Sequence, residues 1–246
     1  MKRWFTWGVV LLLGASMASA ATLKEIIAKN LETRGGEAKL RAIQTLKITG
    51  KSSMGGMEVP MVMYQKRPNM IRMEITIQQQ TIVQAYDGKT AWWIMPFMNI
   101  FEPQPMPEKE AKNFLDNTDL DIDSPFIDYE KKNYKLKLLG EDEYEGTPVY
   151  KIKLTRPNGR EFIYYLDKET GIELRVTTEQ VQKGQTITVQ TVFGDYKEVD
   201  GILFPFSLQF GSSGQSGFQF TITDVQVNPK LDDSLFKLPA KTPSKP

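Results

Sequence analysis

Residues 64–97, with the sequence YQKRPNMIRMEITIQQQTIVQAYDGKTAWWIMPF, decide the fold of this chain. From Ile71 to Gln78 apolar and polar residues alternate, which is typical of a strand with one buried side and one wet side. Pro68-Asn69 and Asp87-Gly88 are turn-forming pairs that bracket this alternation. The stretch therefore predicts antiparallel strands that are joined by tight turns.

The same period of two recurs along most of the chain from Thr45 onward. Further alternating runs lie at 162–166, 172–176, 187–193, 206–210 and 218–222. Further turn pairs are Gly55-Gly56, Asn158-Gly159, Lys183-Gly184 and Asp200-Gly201. This spacing predicts a long antiparallel meander of roughly ten or more strands.

Helical periodicity is confined to two places. Apolar residues between Thr22 and Ile43 recur at helical spacing, and Gly35-Gly36 divides the run into two pieces. The segment from Pro103 to Lys132 predicts a loop followed by one or two short helices, with an acidic first turn on a lid helix around Asp121. Because so large a sheet must curl and cover its apolar inner face, we expect a mainly β fold. It would be a curled antiparallel sheet that forms an incomplete half-barrel under a few α-helices.

The chain ends predict export. Residues 1–20 have a positive start, an apolar run at Gly8–Leu13 and a small-residue cleavage site at Ala18-Ser19-Ala20, the pattern of a signal peptide. Residues 21–240 are expected to form a single domain, and residues 241–246 a disordered tail. With no Cys in the sequence, no lipid-modified Cys can follow the cleavage site. We therefore expect a soluble periplasmic protein, cleaved from its signal peptide and not lipid-anchored.

Composition excludes several classes of function. With Lys2 and Arg3 removed from the 31 basic residues, 29 remain against 30 acidic ones, which argues against nucleic-acid binding. Histidine and cysteine are both absent, so the usual general base and the commonest metal ligand are missing. No nucleophile elbow, paired-carboxylate pattern or phosphate loop occurs. We expect no enzyme, no catalytic residues, no cofactor and no resident metal.

Methionine and tryptophan are unevenly distributed. Apart from Met1 and Met17, the remaining 9 of the 11 methionines lie between Met54 and Met106, together with both tryptophans outside the leader. Methionine is used where an apolar surface must adapt to variable partners, and this favours a pocket for a greasy ligand. Burying about ten methylenes would gain roughly 8 kcal/mol before binding costs, a reversible affinity for an acyl chain.

Two metal sites compete with this interpretation. The methionine run could hold Cu(I) through its thioethers, although aliphatic residues share the same strand faces and no His or Cys accompanies it. Asp119, Asp121, Asp123 and Glu130 have the spacing of a calcium loop. That loop needs glycine where this chain has Ser124, so calcium is the weaker of the two alternatives.

Two motifs carry a resemblance to a known family. Lys66-Arg67-Pro68-Asn69 and Asp87-Gly88-Lys89-Thr90-Ala91-Trp92, followed by Pro96-Phe97, resemble the LolA family of periplasmic carriers of outer-membrane lipoproteins. The resemblance implies a LolA-like lipid-binding domain over residues 21–240. Its partners would be an acylated lipoprotein or another lipid ligand, an inner-membrane donor complex and an outer-membrane acceptor, and the protein would be a monomer.

The resemblance and the strand pattern together predict the residues of the site. Adjacent Trp92 and Trp93 must face opposite sides of a strand, and the family pattern favours Trp92 for the cavity. The predicted lipid-binding cavity is lined by Met61, Met63, Ile71, Met73, Ile75, Trp92, Met95, Phe97 and Met98. Arg67 is predicted to latch the lid by donating to its backbone carbonyls, as the resemblance implies. The alternative for Arg67 is a strand-end residue held in a turn.

These predictions favour one function and leave two others open. The favoured function is transport of lipoproteins, or of other lipidated cargo, towards the outer membrane. A regulatory sensor of envelope lipid or lipoprotein could use the same cavity. A Cu(I)-binding protein is the third candidate.

Overall fold

The computed structural model describes residues 21–240 except 55–56, 119, 183 and 213–214. The α-helices are α1 (Leu23–Thr33), α2 (Glu37–Ala42) and α3 (Glu108–Asn117), and short 3-10 helices lie at Pro96–Met98 and Asp233–Leu235. The strands are β1 (Thr45–Met54), β2 (Met57–Lys66), β3 (Met70–Ile77), β4 (Gln80–Tyr86), β5 (Ala91–Met95), β6 (Ile100–Pro105), β7 (Lys135–Tyr144), β8 (Thr147–Thr155), β9 (Glu161–Asp167), β10 (Glu173–Gln182), β11 (Gln185–Val199), β12 (Ile202–Ser212) and β13 (Gln215–Val227).

Local sequence signals set the first two helices. Thr22 and Glu25 form a capping box at the start of α1, in which the Thr22 hydroxyl accepts from the Glu25 N–H and the Glu25 carboxylate accepts from the Thr22 N–H. Gly35 and Gly36 follow with φ of 116° and 90°, values that L side chains rarely adopt. The expected break between α1 and α2 is confirmed at these glycines.

All 13 strands form one antiparallel sheet in the order β6-β5-β4-β3-β2-β1-β13-β12-β11-β10-β9-β8-β7. The first and last of these strands, β1 and β13, therefore pair in the middle of the sheet. The two edges, β6 and β7, are consecutive in sequence, and residues 106–134, which include α3, connect them. The sheet stays open between its edges, and this connecting segment is the covalent link across the opening.

The buried core shows that the sheet curls. Ile26 and Leu40 of the helices pack in one cluster with Ile48 of β1 and Leu154 of β8, although five strands lie between β1 and β8 in the sheet. A flat sheet could not bring these strands to one helix pair, so this side is the inner face of a curved surface. The predicted half-barrel with helical cover is confirmed.

The segment between the two edges differs in part from its prediction. Pro103 lies within β6 rather than in a loop, whereas the expected helix around Glu108 is present as α3. Residues 121–134 form bends and turns, so the expected lid helix with an acidic first turn around Asp121 is wrong. Instead of complementing the start of a helix, the carboxylates of Asp121 and Asp123 accept from side chains, chiefly Lys132 and Arg67.

Several predictions fall on residues outside the described part of the chain. These are the signal peptide at 1–20, the tail at 241–246, the Gly55-Gly56 turn, Lys183 and Asp119. None of the helices in the described ranges is long and apolar enough to cross a bilayer.

Candidate functional site

Strand register identifies the side chains that share the inner face. One row of paired residues crosses the sheet from β13 to β6 and contains Val225, Ile48, Met63, Met73, Gln84, Trp93 and Gln104. Directly paired residues point to the same side of a sheet, and Ile48 lies in the core beneath the helices. The whole row therefore faces inward.

Part of this face forms a cluster beneath α3, here called the α3 cluster. Its buried members are Ile71, Ala91, Trp93, Met106 and Phe114, and its partly buried members are Met63, Met73, Tyr86, Met95, Ile100, Ala111, Leu115 and Leu120. The amphipathic helix α3 contributes the apolar side of its surface, and the strands contribute most of the methionines. The α3 cluster thus brings together four predicted site residues: Met63, Ile71, Met73 and Met95.

The two tryptophans lie opposite to the expected arrangement. Trp92 is 1% exposed and packs with Val83 and Ala85 on the outer face, where its indole N–H donates to the carbonyl oxygen of Phe236 (2.6 Å). Trp93, 8% exposed, is the tryptophan of the α3 cluster. The four-residue turn after β4 pairs Tyr86 with Ala91 and thereby aligns Trp93, not Trp92, with the methionine row. We accordingly replace Trp92 by Trp93 in the candidate site.

The remaining predicted lining residues are divided between two places. Met61 and Ile75 pair with each other on the inner face, farther from α3. Phe97 and Met98 are 53% and 56% exposed on the 3-10 helix that follows β5, and neither belongs to the α3 cluster. These two side chains project from the rim rather than line the interior.

The inner face continues into apolar residues that the sequence-based list omitted. A second row contains Phe193, Leu208, Phe220, Ser52 and Val59 and crosses from β11 to β2. Next to it Phe210 stacks on Phe218 at 4.7 Å, and Phe218 is 43% exposed. The alternation of these strands was visible in the sequence, but it does not say which side curls inward.

Arg67 joins three elements at one end of the half-barrel. Its Nε donates to the carbonyl oxygen of Ile43, the residue that ends α2 (2.6 Å), and its Nη2 donates to Oδ2 of Asp123 (2.8 Å). Its backbone N–H donates to the carbonyl of Gln44. One guanidinium therefore ties the β2–β3 turn to a covering helix and to the segment between the sheet edges. The contact with Asp123 had no sequence signal, because 56 residues separate the pair.

Asp123 is the buried half of this ion pair. Burial raises the pKa of its carboxyl group, but hydrogen bonds from Arg67 and the Ser124 N–H, with the charges of Lys132 and Arg67, outweigh it and hold the pKa below the usual range. Lys132 also donates to the carbonyl of Ser124 (2.9 Å) and pairs with Asp121 (2.8 Å). The acidic stretch thus serves a salt-bridge network.

Residues of both candidate metal sites have other contacts in the structure: Asp121 and Asp123 pair with basic side chains, and methionines pack in the α3 cluster. Within the described ranges, no group of three or more His, Cys, Asp or Glu side chains is arranged to hold a metal ion. Met63 and Met73 are directly paired on the inner face, yet they pack among Ile71 and Tyr86 in the α3 cluster. Thioethers surrounded by hydrocarbon act as adaptable packing groups.

Known structures share this architecture. A DUF1329 family protein from Desulfovibrio piger matches with a TM-score of 0.58 and 15% identity over 87% of this chain and 96% of its own. A LolA superfamily protein from Nitrosomonas europaea matches with a TM-score of 0.58 and 14% identity over 89% of this chain and 98% of its own. The chain has a LolA-like fold.

A third match has a more specific description. It is a domain from Vibrio parahaemolyticus described as an outer membrane lipoprotein-sorting protein domain, with a TM-score of 0.52 and 14% identity over 85% of this chain and 97% of its own. No protein-family model and no curated protein matches this sequence. At these identities the likeness establishes the LolA-like fold and no more.

Proposed function

We propose that this protein is a soluble periplasmic carrier whose residues 21–240 form one lipid-binding domain. It holds the acyl chains of lipoproteins or other lipidated cargo on its inner face and moves them towards the outer membrane. The observation that carries the proposal is the incompletely covered apolar inner face, where Met61, Met63, Met73 and Phe210 are only partly buried and Phe218 is exposed. Apolar surface left in water inside a curved sheet is typical of a lipid site.

The binding energy of a hydrocarbon chain suits this task. About ten methylenes transferred from water to the inner face gain roughly 8 kcal/mol, and immobilisation of the ligand offsets several kcal/mol. The residual affinity is reversible, which a carrier requires because it must also release its cargo. The name of the Vibrio parahaemolyticus relative, which refers to outer membrane lipoprotein sorting, supports the same class of cargo.

Native mass spectrometry of the protein purified from a periplasmic fraction tests the proposal. We expect bound lipid or lipopeptide masses, and uptake of a synthetic diacylated lipopeptide after delipidation. Cu(I) added to the delipidated protein should not compete with the lipopeptide. A protein that carries no lipid and takes up no acylated peptide would contradict the carrier function.

A matched pair of variants localises the binding. Met63 faces inward, whereas its neighbour Val62, paired with Thr49 and Glu74, faces outward. We expect Met63→Gln to weaken lipopeptide binding about tenfold, because a polar amide replaces a partly buried apolar group. Val62→Gln should leave the affinity unchanged. Equal effects of both substitutions would place the lipid elsewhere.

A further inference from the structure

Trp93 contains a buried polar atom that none of the described residues satisfies. The side chain is 8% exposed within the α3 cluster, and its Nε1 is buried without a hydrogen-bond partner among the residues that the structure describes. Buried indole N–H groups usually donate to an acceptor. The neighbouring Trp92 follows that rule, since its N–H donates to the carbonyl of Phe236.

The surroundings of Trp93 indicate what kind of acceptor is missing. The methionines of the α3 cluster, Met63, Met73 and Met95, offer only thioether sulfur, which is a weak acceptor, and the Tyr86 hydroxyl of the same cluster does not accept from Trp93. In the same cross-strand row Trp93 lies between Gln84 and Gln104, and Gln84 is paired on its other side with Met73. The Trp93 indole N–H and the Gln84 side-chain amide therefore form a pair of polar groups directly beside the apolar methionines on the inner face.

This arrangement matches one end of an acyl chain. In a fatty ester or amide, an apolar chain is joined at one end to a carbonyl oxygen, a strong acceptor without a proton to donate. With the acyl chain against the methionines, that carbonyl oxygen would lie beside Trp93 and Gln84. Phe114 and Leu115 of α3 belong to the same cluster, so we expect the helix to shift when the ligand enters.

We propose that the indole N–H of Trp93 donates a hydrogen bond to the acyl carbonyl of the bound lipid, so that the site selects ester- or amide-linked chains over ether-linked ones. This inference rests on the proposed carrier function and specifies its ligand class. A lipoprotein and a phospholipid both present such a carbonyl. The shared chemistry is the acyl carbonyl, and the experiment separates the two sources.

The test compares four ligands by isothermal titration calorimetry below their micelle concentrations. These are a short-chain diacylated lipopeptide, a short-chain diacyl phospholipid, and the dialkyl-ether counterpart of each. We expect at least one ester to bind about fivefold more tightly than its ether, the effect of a single hydrogen bond. Whichever ester binds more tightly identifies the source of the carbonyl.

Variants at the two tryptophans supply matched controls. Trp93→Phe should abolish the preference for ester over ether, whereas Trp92→Phe, on the outer face, should retain it. In ¹H–¹⁵N spectra of the protein without residues 1–20, the Trp93 indole proton should move downfield with the ester and not with the ether. The signal that disappears in Trp93→Phe identifies it.

The outcomes separate failure of the inference from failure of the carrier function. Equal binding of ester and ether to the unmodified protein, or a preference that survives Trp93→Phe, would overturn the role of Trp93 while leaving a lipid carrier. If none of the four ligands binds, the carrier function and the inference both fail.

Discussion

Removal of the Arg67 guanidinium should loosen the segment between the sheet edges more than any other part of the protein. Arg67→Leu deletes the hydrogen bonds to the Ile43 carbonyl (2.6 Å) and to Asp123 (2.8 Å). The side chain of Asp123 is 5% exposed, so its carboxylate would remain buried with one counter-ion fewer. Lys132, 3.4 Å from the same carboxylate, compensates for part of the loss.

The expected magnitude follows from these exposures. Hydrogen bonds to charged groups contribute about 1.5–3 kcal/mol each, but the Arg67 side chain is 31% exposed and solvent screens part of its interaction. We therefore expect a total destabilisation of about 2–3 kcal/mol. In a double-mutant cycle with Asp123→Asn, we expect a coupling energy of about 1–2 kcal/mol.

Urea unfolding of the single and double variants measures the destabilisation and the coupling energy, and native-state hydrogen exchange measures the loosening of the segment. The amides of Ile127, Lys132 and Tyr134 donate within the turns of this segment, and their exchange should accelerate about 30-fold in Arg67→Leu. Arg72→Leu is the control and should leave the exchange of these amides unchanged, because Arg72 donates to the carbonyl oxygen of Leu235 on the outer face. Three results would refute the latch. These are additive effects of Arg67→Leu and Asp123→Asn on the free energy of unfolding, unchanged exchange of these amides in Arg67→Leu, or unchanged lipid loading and release by that variant.

Three further predictions concern stability. The depressed pKa of Asp123 means that its ion pair stabilises the fold fully above the ordinary Asp pKa of about 3.9, and that this contribution is lost as pH falls through the lower folded value. Urea titrations should therefore show a constant difference in the free energy of unfolding between wild type and Arg67→Leu from pH 8 to pH 5, and a smaller difference below pH 4. The same difference at all pH values would contradict this. Trp92→Phe should destabilise by about 1–3 kcal/mol, because the Phe236 carbonyl loses its donor, and a change under 0.5 kcal/mol in urea would be the contrary result. Gly50→Ala should cost about 3 kcal/mol or more in thermal unfolding, since a methyl group there would lie 2.4 Å from the Thr221 carbonyl oxygen, whereas Gly194→Ala, 3.9 Å from Ser207 Cβ, should be nearly neutral.

The local parts of the fold could be predicted from sequence because their causes are local. The Thr22 cap and the Gly35-Gly36 pair act within a few residues of the helices that they begin or end. Alternation identified the strands for the same reason. The pairing of β1 with β13 joins residues almost at opposite ends of the chain, and no short motif records it.

In the candidate site, too, some features have a local sequence signal and others depend on the tertiary structure. The structure places Met63 and Met73 on the inner face, and alternation along their strands is a signal that the sequence contains. The choice between Trp92 and Trp93 required the register of the Asp87–Thr90 turn, and the length of that turn could have supplied it. The partnership of Arg67 with Asp123 depends on how the segment between the sheet edges folds back, which is a tertiary property.

The central pairing of β1 with β13 also determines when this protein can fold. Strands β1–β6 and β7–β13 are each meanders of local hairpins, but the two halves join along a seam whose partners, such as Leu46 and Val227, are far apart in the sequence. Closing so long a loop is slow, and a chain that emerges with its N-terminus first, from a ribosome or through a membrane, cannot form this seam until β13 has emerged. A chain truncated before β13 would leave β1 as an unpaired strand edge, which we expect to aggregate rather than form a smaller half-barrel.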